Sequence, residues 1–394
     1  MRDSEQTDPA AAWRSLAAAI ERAAHQIPSD ASPRERAEAL QYLARFLDAG
    51  LRLCVTHADP DHPALVRFVE PAMTWGLDHP DCNYHHAEIR GGAEYRIFGR
   101  RGSANHFDLQ VDHGHFANGA LDAWGTISSL SGRELAQEGD GSFEVFVTRE
   151  PRGRNWLATR DDAGFVLVRE YFADWEQERP ADLRIERLGA AGPPPPPTCA
   201  ELARRFARLE TWLGKGAALW ANMSRLMRAL PPNTLNVASP QAAAQRAGLA
   251  GQAYGIGNFR CEPDQAVIVE FRPPPCLHWT IALANPTWES IDVAHRQSSL
   301  NQRQAVLTPS GLFRGVIAHA DPGAANWLDT SGLLSGTLSA RFLMAQEAPK
   351  PALRAVPFAS LARELPDDTP RAGAEERRRA LDSRRRGIDN RFRS

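Results

Sequence analysis

The sequence DPGAANWLDT at residues 321–330 repeats a pattern that occurs earlier as EPRGRNWLAT at residues 150–159. Both stretches contain an acidic residue and a proline, three variable residues, then Asn-Trp-Leu and a threonine two positions later. Asn155 and Asn326 are 171 residues apart, and glycines, phenylalanines and arginines around them recur at spacings of 170–172. A nearly constant spacing of this kind predicts a duplicated structural unit.

Alternating apolar residues on both sides of the repeated stretches predict β-strands. The predicted strands are EYRIFG, NHFDLQV, SFEVFVT and GFVLVREYF in the first half, and QAVIVEF, LHWTIAL and LFRGVIAH in the second. The first two runs are separated by a basic, glycine-containing turn at residues 100–103, which predicts a hairpin. We therefore predict a mainly β fold with two duplicated antiparallel β-sandwich, jelly-roll-like units.

Helices are predicted at the N-terminus, between the two units and at the C-terminus. Asp8 before Pro9, and Ser32 three residues before Glu35, are typical helix starts. Five consecutive prolines at residues 193–197 predict a stiff spacer before a connecting helix. The predicted domains are a helical segment 1–75, a β unit 76–192, a proline linker with connecting helix 193–235, a second β unit 236–347 and an arginine-rich tail 348–394.

The composition indicates a globular protein without a strong charge preference for its partners. The 394 residues carry a formal net charge of -2, which favours neither nucleic acid nor a membrane surface as partner. The five cysteines are scattered, and the sequence contains neither a basic leader with an apolar core nor a long apolar run, so we expect reduced thiols and a cytoplasmic location. Residues 371–394 hold nine arginines and four acids, a local charge of +5, which predicts a solvated or subunit-docking helix and allows a homo-oligomer.

Several longer patterns resemble a known family. NYHHAEIRGGAEYRIFGRRG, NWL and REYFADWE in the first half, with WESIDVAHRQSSLN and DPGAANWLDTSG in the second, resemble the bacterial domain-of-unknown-function family 1214 over residues 80–345. The resemblance implies a two-part β protein with helical additions and no particular reaction. The positions that fit the family pattern are Asn83, Tyr84, Asn155, Trp156, Trp288, Arg296, Asn301, Asn326 and Trp327.

Eight of the twelve histidines lie between His57 and His115, which raises the hypothesis of a metal site. In an extended segment Tyr84, His86 and Glu88 would point to one face, and His106 would share a face with Asp108. Two imidazoles and two carboxylates, those of His86, Glu88, His106 and Asp108, would suit zinc, iron or manganese. The preferred interpretation is nevertheless that these histidines lie at the surface or make hydrogen bonds.

A second polar group follows the strand LHWTIAL and would line a pocket for a small molecule. Its members are Asn285, Trp288, Glu289, Asp292, Arg296 and Asn301. A buried Glu289 or Asp292 would act as general acid or base, and the alternative is a structural ion pair between Asp292 and Arg296. The repeated Asn-Trp-Leu motifs are interpreted first as architectural.

The sequence predicts no nucleotide cofactor, because phosphate-binding and dinucleotide motifs are absent from it. Our working hypothesis is an enzyme of hydrolase or lyase type that acts on a small, partly apolar organic substrate. Its candidate catalytic residues are Tyr84, His86, Glu88, Asp292 and Arg296, and its candidate ligand-binding residues are Trp156, Trp288, Asn301, Asn326 and Trp327. The alternatives are a non-catalytic protein that binds a carbohydrate or lipid-like ligand, and an assembly subunit that acts through its basic tail.

Overall fold

The computed structural model describes residues 8–25, 27, 32–119, 124–190, 192–244 and 251–392. Residues 1–7 of the predicted N-terminal helical segment and residues 393–394 of the predicted C-terminal tail lie outside these ranges. The helices are α1 (Pro9–Ala24), α2 (Pro33–Leu51), α3 (Cys199–Thr211), α4 (Ala217–Arg228), α5 (Pro240–Ala244), α6 (Leu361–Glu364) and α7 (Ala374–Phe392), with short helical turns at Arg52–Thr56, Phe116–Asn118, Trp212–Gly216 and Phe358–Ser360. Within the described ranges, no helix is both long and apolar enough to cross a membrane.

In the part of the chain that the structure describes, eighteen strands form four sheets. The first nine are β1 (Val66–Val69), β2 (Cys82–Glu88), β3 (Tyr95–Arg100), β4 (His106–Gly114), β5 (Trp124–Ser131), β6 (Ser142–Thr148), β7 (Trp156–Ala158), β8 (Ala163–Tyr171) and β9 (Asp182–Arg187). The second nine are β10 (Thr234–Ala238), β11 (Ala253–Arg260), β12 (Gln265–Phe271), β13 (His278–Ala284), β14 (Ser299–Asn301), β15 (Phe313–Ala318), β16 (Trp327–Asp329), β17 (Ser335–Leu343) and β18 (Ala352–Pro357).

The strand orders confirm the predicted duplication. One five-stranded sheet runs β1-β2-β8-β4-β5 and its counterpart β10-β11-β17-β13-β14, while the four-stranded sheets run β7-β6-β3-β9 and β16-β15-β12-β18. Each strand of the first half therefore has an equivalent nine strands later. Each four-stranded sheet also contains one parallel pair among antiparallel ones. The parallel pairs are β6 with β7 and β15 with β16. The mainly β, duplicated fold predicted from the sequence is confirmed.

The described residues fall into two compact units that are not continuous in sequence. Unit 1 takes residues within 1–74, 83–170 and 180–220, and unit 2 takes residues 75–82, 171–179 and those within 221–394. The proline run at residues 193–197 thus lies inside unit 1, although the sequence placed a domain boundary there. Two short segments, residues 75–82 and 171–179, pack with the second half of the chain.

The core of each unit lies between its two sheets. In unit 1, Leu109 and Val111 of β4 pack in one cluster with Tyr95 and Ile97 of β3. The expected hairpin of β3 and β4 is wrong, because β3 pairs with β6 and β9 whereas β4 pairs with β5. Both strands alternate as predicted, but they place their apolar residues against the same core from different sheets.

Capping residues set the starts of the predicted N-terminal helices. The Asp8 side chain accepts a hydrogen bond from the backbone of Ala10, and Pro9 occupies the first turn of α1. Ser32 and Glu35 form a complete capping box at the start of α2, in which each side chain bonds the other residue's backbone N–H. These pairings satisfy N–H groups that a helix start leaves without a partner.

Candidate functional site

Two clusters of one carboxylate and two histidines occur within the described residues, one in each unit. In unit 1 His86, Glu88 and His115 each place one ligand atom within 4.8 Å of the others. In unit 2 His79, Asp81 and His278 do the same. The two clusters have similar composition, but their hydrogen bonds differ.

In unit 1 the polar cluster is enclosed by aromatic rings. His86 is fully buried in β2 and stacks on Phe165 with ring centroids 5.1 Å apart. The rings of Phe68 and Phe116 lie 5.8 and 6.2 Å from it. Burial, reinforced by the positive charge of Arg208, lowers the pKa of His86 to about 3. His86 is therefore a neutral ring at physiological pH.

Arg208 of α3 holds the carboxylate of this cluster. Its two terminal nitrogens donate to Glu88 Oε1 at 2.7 Å and Oε2 at 3.1 Å, and one of them also donates to the backbone oxygen of Leu53. Burial raises the pKa of Glu88 while the charge of Arg208 opposes that shift. A bidentate pair of this kind fixes the orientation of both groups.

His115 contributes a proton donor to the cluster. Its Nδ1 accepts a hydrogen bond from the backbone N–H of Ala117 at 2.9 Å, so the proton of the neutral ring is on Nε2. Burial, with smaller contributions from Arg208 and His86, keeps the pKa of His115 well below its ordinary value. Nε2 lies 3.6 Å from Glu88 Oε2, and the Nε2–H group therefore faces the carboxylate.

Unit 1 also contains a cleft of about 970 Å³. One of the residues that line it is Arg208, the arginine that pairs with Glu88 of the cluster. The proline run forms part of its wall, and charged side chains of both signs form the rest. The lining residues are Thr56, Ala58, Asp59, Pro60, Asp61, His62, Arg90, Pro194, Pro195, Pro196, Pro197, Glu201, Arg204, Arg205 and Arg208. The half-buried Glu88 is thus one side chain away from the cleft.

In unit 2 the carboxylate of Asp81 is fully buried and accepts four side-chain hydrogen bonds. Trp175 Nε1 and Asn301 Nδ2 donate to Oδ1 at 2.8 and 2.9 Å. His278 Nε2 donates to Oδ2 at 2.9 Å, and the Thr280 hydroxyl donates to the same oxygen. Burial alone would raise the pKa of Asp81, but the hydrogen bond and charge of His278 outweigh it and hold the pKa below its ordinary value. Asp81 is therefore ionised, and the four protein donors take the place of water around its carboxylate.

Two predicted metal ligands, His106 and Asp108, lie elsewhere on β4. Neither belongs to a cluster with His86 and Glu88 among the described residues, and His115 stands with that pair instead. Burial raises the pKa of Asp108 to about 7, with the charge of Arg169 3.6 Å away acting in the opposite direction. β2, which carries His86 and Glu88, and β4 lie in the same sheet but are separated by β8, so the four predicted ligands do not form one cluster.

The polar group predicted after β13 converges only in part: Asn285 Nδ2 donates to Glu289 Oε2 at 3.0 Å, whereas Asp292 and Arg296 pair with other residues. Asp292 is exposed and lies 3.0 Å from His295 Nδ1, whereas Arg296 pairs with Asp329 at 2.9 Å. The expected ion pair between Asp292 and Arg296 is therefore wrong. Trp288 is buried in a turn with φ of 64°. Of the whole predicted group, Asn301 alone bonds to the Asp81 carboxylate.

The asparagines of the repeated motif have equivalent roles in the two units. Asn155 accepts from the backbone N–H of Ala136 at 2.7 Å and donates to Ala136 O and Glu144 O at 2.7 and 2.8 Å. Asn326 accepts from Val306 N at 2.8 Å and donates to Val306 O and Arg314 O at 2.7 and 3.0 Å. Each amide thus joins a loop to a strand, which supports the architectural interpretation.

The two tryptophans that follow these asparagines also bond to strand backbones. Trp156 Nε1 donates to Thr148 O at 3.1 Å, and Trp327 Nε1 donates to Ala318 O at 3.0 Å. The indole rings therefore fasten each parallel strand pair. Tyr84, the remaining predicted catalytic residue, lies edge-on to Phe68 at a centroid distance of 6.1 Å.

Sequence reasoning did not select His79, Asp81, His278 and Arg208 as site residues. One signal was present: His79 and Asp81 flank a proline just before a strand, a spacing that places two polar side chains in one turn. A second signal was the duplication, because His278 begins β13 at the position that His106 holds at the start of β4. Their meeting in space depends on tertiary contacts that a sequence alone does not indicate.

Comparisons with known proteins agree with the fold. The model of the family described as Protein of unknown function (DUF1214) matches residues 87–174, which confirms the predicted resemblance over that segment. A crystal structure of an uncharacterized protein from Burkholderia cenocepacia is 29% identical, with coverage of 89% of this chain and 97% of that chain and a TM-score of 0.83. The VPA0106 protein from Vibrio parahaemolyticus is 11% identical over 87% of this chain and 100% of that chain, at a TM-score of 0.46. No protein of curated function matches the chain.

Proposed function

We propose that the chain is an enzyme that acts on a small organic anion with an apolar part, through acid–base chemistry at Glu88 and His115. The observation that carries this proposal is the position of Arg208, which lines the cleft and also binds both oxygens of Glu88. A substrate in the cleft would therefore contact the arginine that pairs with the half-buried carboxylate of Glu88. The reaction class that follows is a hydrolysis or an elimination.

The chemistry of the cleft favours an anion with an apolar portion. Four arginines line it against three acidic residues, Asp59, Asp61 and Glu201. Within the described residues Arg204 forms no ion pair, and its exposed guanidinium is free to bind a carboxylate or phosphate. The prolines at residues 194–197 supply a rigid apolar wall for the rest of the ligand.

Binding of an anion would change the protonation chemistry of Glu88. An anionic group that takes one donor of Arg208 weakens the pairing that opposes the effect of burial on the pKa of Glu88. The carboxylate then becomes a stronger base, able to remove a proton from a substrate or a water molecule. The Nε2–H of His115 faces the same oxygen and would donate to it or to a developing negative charge.

The test uses the wild-type chain and Glu88→Gln. Thermal shift against a panel of small carboxylates and phosphate monoesters identifies a ligand, and turnover of that ligand is then followed by mass spectrometry. We expect Glu88→Gln to keep binding within a few-fold and to lose roughly 10²-fold or more of turnover. The control is Glu138→Gln, which removes an exposed charge paired with Arg154.

The outcomes separate an enzyme from a binding protein. Ligands that bind but are never converted by the wild type would reject the enzyme and favour a non-catalytic binding protein for the same anions. A wild type that binds none of the panel would reject both. Turnover that survives in Glu88→Gln would remove Glu88 from the mechanism.

A further inference from the structure

We propose that His79, Asp81 and His278 form a binding site for one divalent transition-metal ion in unit 2. His278 Nε2 lies 2.9 Å from Asp81 Oδ2, and His79 Nδ1 lies 3.9 Å from the same oxygen. An ion with ligand bonds of about 2.0–2.2 Å places neighbouring ligand atoms about 3.0–3.5 Å apart. The two separations lie on either side of that value, so small side-chain rotations would complete the site.

The protonation of His79 suits a metal ligand. Its Nδ1 accepts a hydrogen bond from the backbone N–H of Asp81 at 3.1 Å, so this nitrogen is unprotonated, and an ion bound to it would displace that hydrogen bond. Burial, followed by the charge of Arg341, holds the pKa of His79 well below its ordinary value, and the ring is neutral. Metal ligation requires this neutral form.

His278 would exchange one hydrogen bond for a metal bond when the ion binds. Its Nε2–H now donates to Asp81, and the ion would take the place of that hydrogen. Nδ1 of His278 and Nε2 of His79, the ring nitrogens that would not bind the ion, are both buried and have no hydrogen-bond partner among the described residues.

The contacts around Asp81 resemble an outer shell of a metal site. Trp175 and Asn301 both donate to Oδ1, which fixes the carboxylate plane and directs Oδ2 toward the two imidazoles. Hydrogen bonds of this kind orient metal-binding carboxylates and contribute to affinity. Among its described residues, unit 1 has no equivalent arrangement, because both oxygens of Glu88 are bound by the terminal nitrogens of Arg208.

The ligand set also selects the class of metal. Two imidazoles and one carboxylate favour zinc, iron(II) or manganese(II), whereas magnesium and calcium prefer oxygen ligands. The positive charges of Arg341 and Arg391, which also lower the pKa of His79, act against any cation. The ion must therefore be held by strong bonds to imidazole nitrogen, and zinc and iron(II) are the first choices.

Direct metal binding tests the proposal without reference to activity. The full chain is stripped with a chelator, titrated with zinc, manganese or anaerobic iron(II), and analysed by mass spectrometry for bound metal and by melting temperature. We expect about one ion per chain and a higher melting temperature with one of the three. His278→Asn and His79→Gln should each weaken uptake by at least about tenfold.

The matched control is His115→Asn, which alters the similar cluster in unit 1 and should still bind one ion. Circular dichroism establishes that each variant is folded. If His278→Asn does not fold, His79→Gln tests the site instead, because the His79 ring makes a single hydrogen bond. The proposal is overturned if the wild type takes up none of the three metals. It is equally overturned if His115→Asn abolishes uptake while the two unit 2 variants retain it.

Discussion

Asn326 shows how one buried amide can fix a loop. Its side chain satisfies the N–H and the oxygen of Val306 and the oxygen of Arg314, and it is 1% exposed. Replacement by alanine removes three hydrogen bonds and leaves buried backbone groups without a partner. We expect Asn326→Ala to lower the free energy of unfolding by about 2–4 kcal/mol, measured by urea denaturation.

The duplication supplies an internal comparison for that measurement. Asn155→Ala should have an effect of similar size, because Asn155 makes the same three kinds of hydrogen bond in unit 1. Asn236→Ala, at an exposed strand position, should change stability by less than about 0.5 kcal/mol. A loss below about 1 kcal/mol for Asn326→Ala would show that water replaces the amide, and would contradict the architectural role.

For individual side chains, contacts with residues nearby in the sequence were predictable and contacts with distant residues were not. The role of Asn155 and Asn326 followed from a motif whose partners lie within 20 residues. Asp81 meets His278 across 197 residues and Asn301 across 220 residues, so no spacing in the sequence reveals that contact. The number of histidines raised the hypothesis of a metal site, but the sequence did not show which histidines lie beside a carboxylate.

The arginine-rich helix α7 packs three of its arginines inside unit 2. Arg377, Arg384 and Arg391 are buried and recur every seven residues, which is about two helical turns, so they lie on one face. Arg384 and Arg391 both lie over the Trp175 ring, at 4.8 and 4.3 Å from its centroid. The helix was predictable from its composition, whereas its burial was not, because buried arginine is rare without specific acceptors.

Gly387 explains how α7 comes so close to Trp175. A Cβ atom at this position would lie 2.4 Å from Trp175 Cβ and 3.1 Å from its backbone oxygen. Glycine in a helix interior costs about 0.5–1 kcal/mol relative to alanine, and here the close approach of the helix requires it. A glycine between arginines at seven-residue spacing was the sequence signal for a packed face.

Arg384 tests the contribution of this helix to stability. Its guanidinium donates to the backbone oxygens of Val293 and Ser299 at 2.8 and 2.9 Å and to the Ser299 hydroxyl at 2.7 Å. Arg384→Met keeps an apolar stem but leaves those acceptors buried and unpaired, so we expect a loss of about 2–5 kcal/mol by urea denaturation. The adjacent Arg385→Met, at an exposed position, should cost less than about 1 kcal/mol, and equal losses would show that α7 contributes through its helix alone.

The sequence indicated that the chain contains a duplication, but not which segments of the chain belong to each unit. Fixed spacing predicted two related β units, and the matching strand orders confirm them. A proline run looked like the natural boundary because proline excludes both helix interior and central strand. The units are instead defined by contacts, and unit 2 includes two short segments, residues 75–82 and 171–179, that precede the second repeat.

This arrangement predicts that the second half of the chain does not fold alone. A fragment of residues 221–394 lacks Asp81 and Trp175, so the imidazole of His278 and the amide of Asn301 lose their buried acceptor, and Arg384 loses its aromatic partner. Each buried polar group left unpaired costs about 1–3 kcal/mol, and a domain is stable by only about 5–15 kcal/mol. We expect the fragment to lack a cooperative thermal transition and near-ultraviolet circular dichroism, both of which the full chain should show under the same conditions. A fragment that unfolds as sharply as the full chain would mean that these borrowed segments add little to unit 2, and that the Asp81 network is dispensable for its fold.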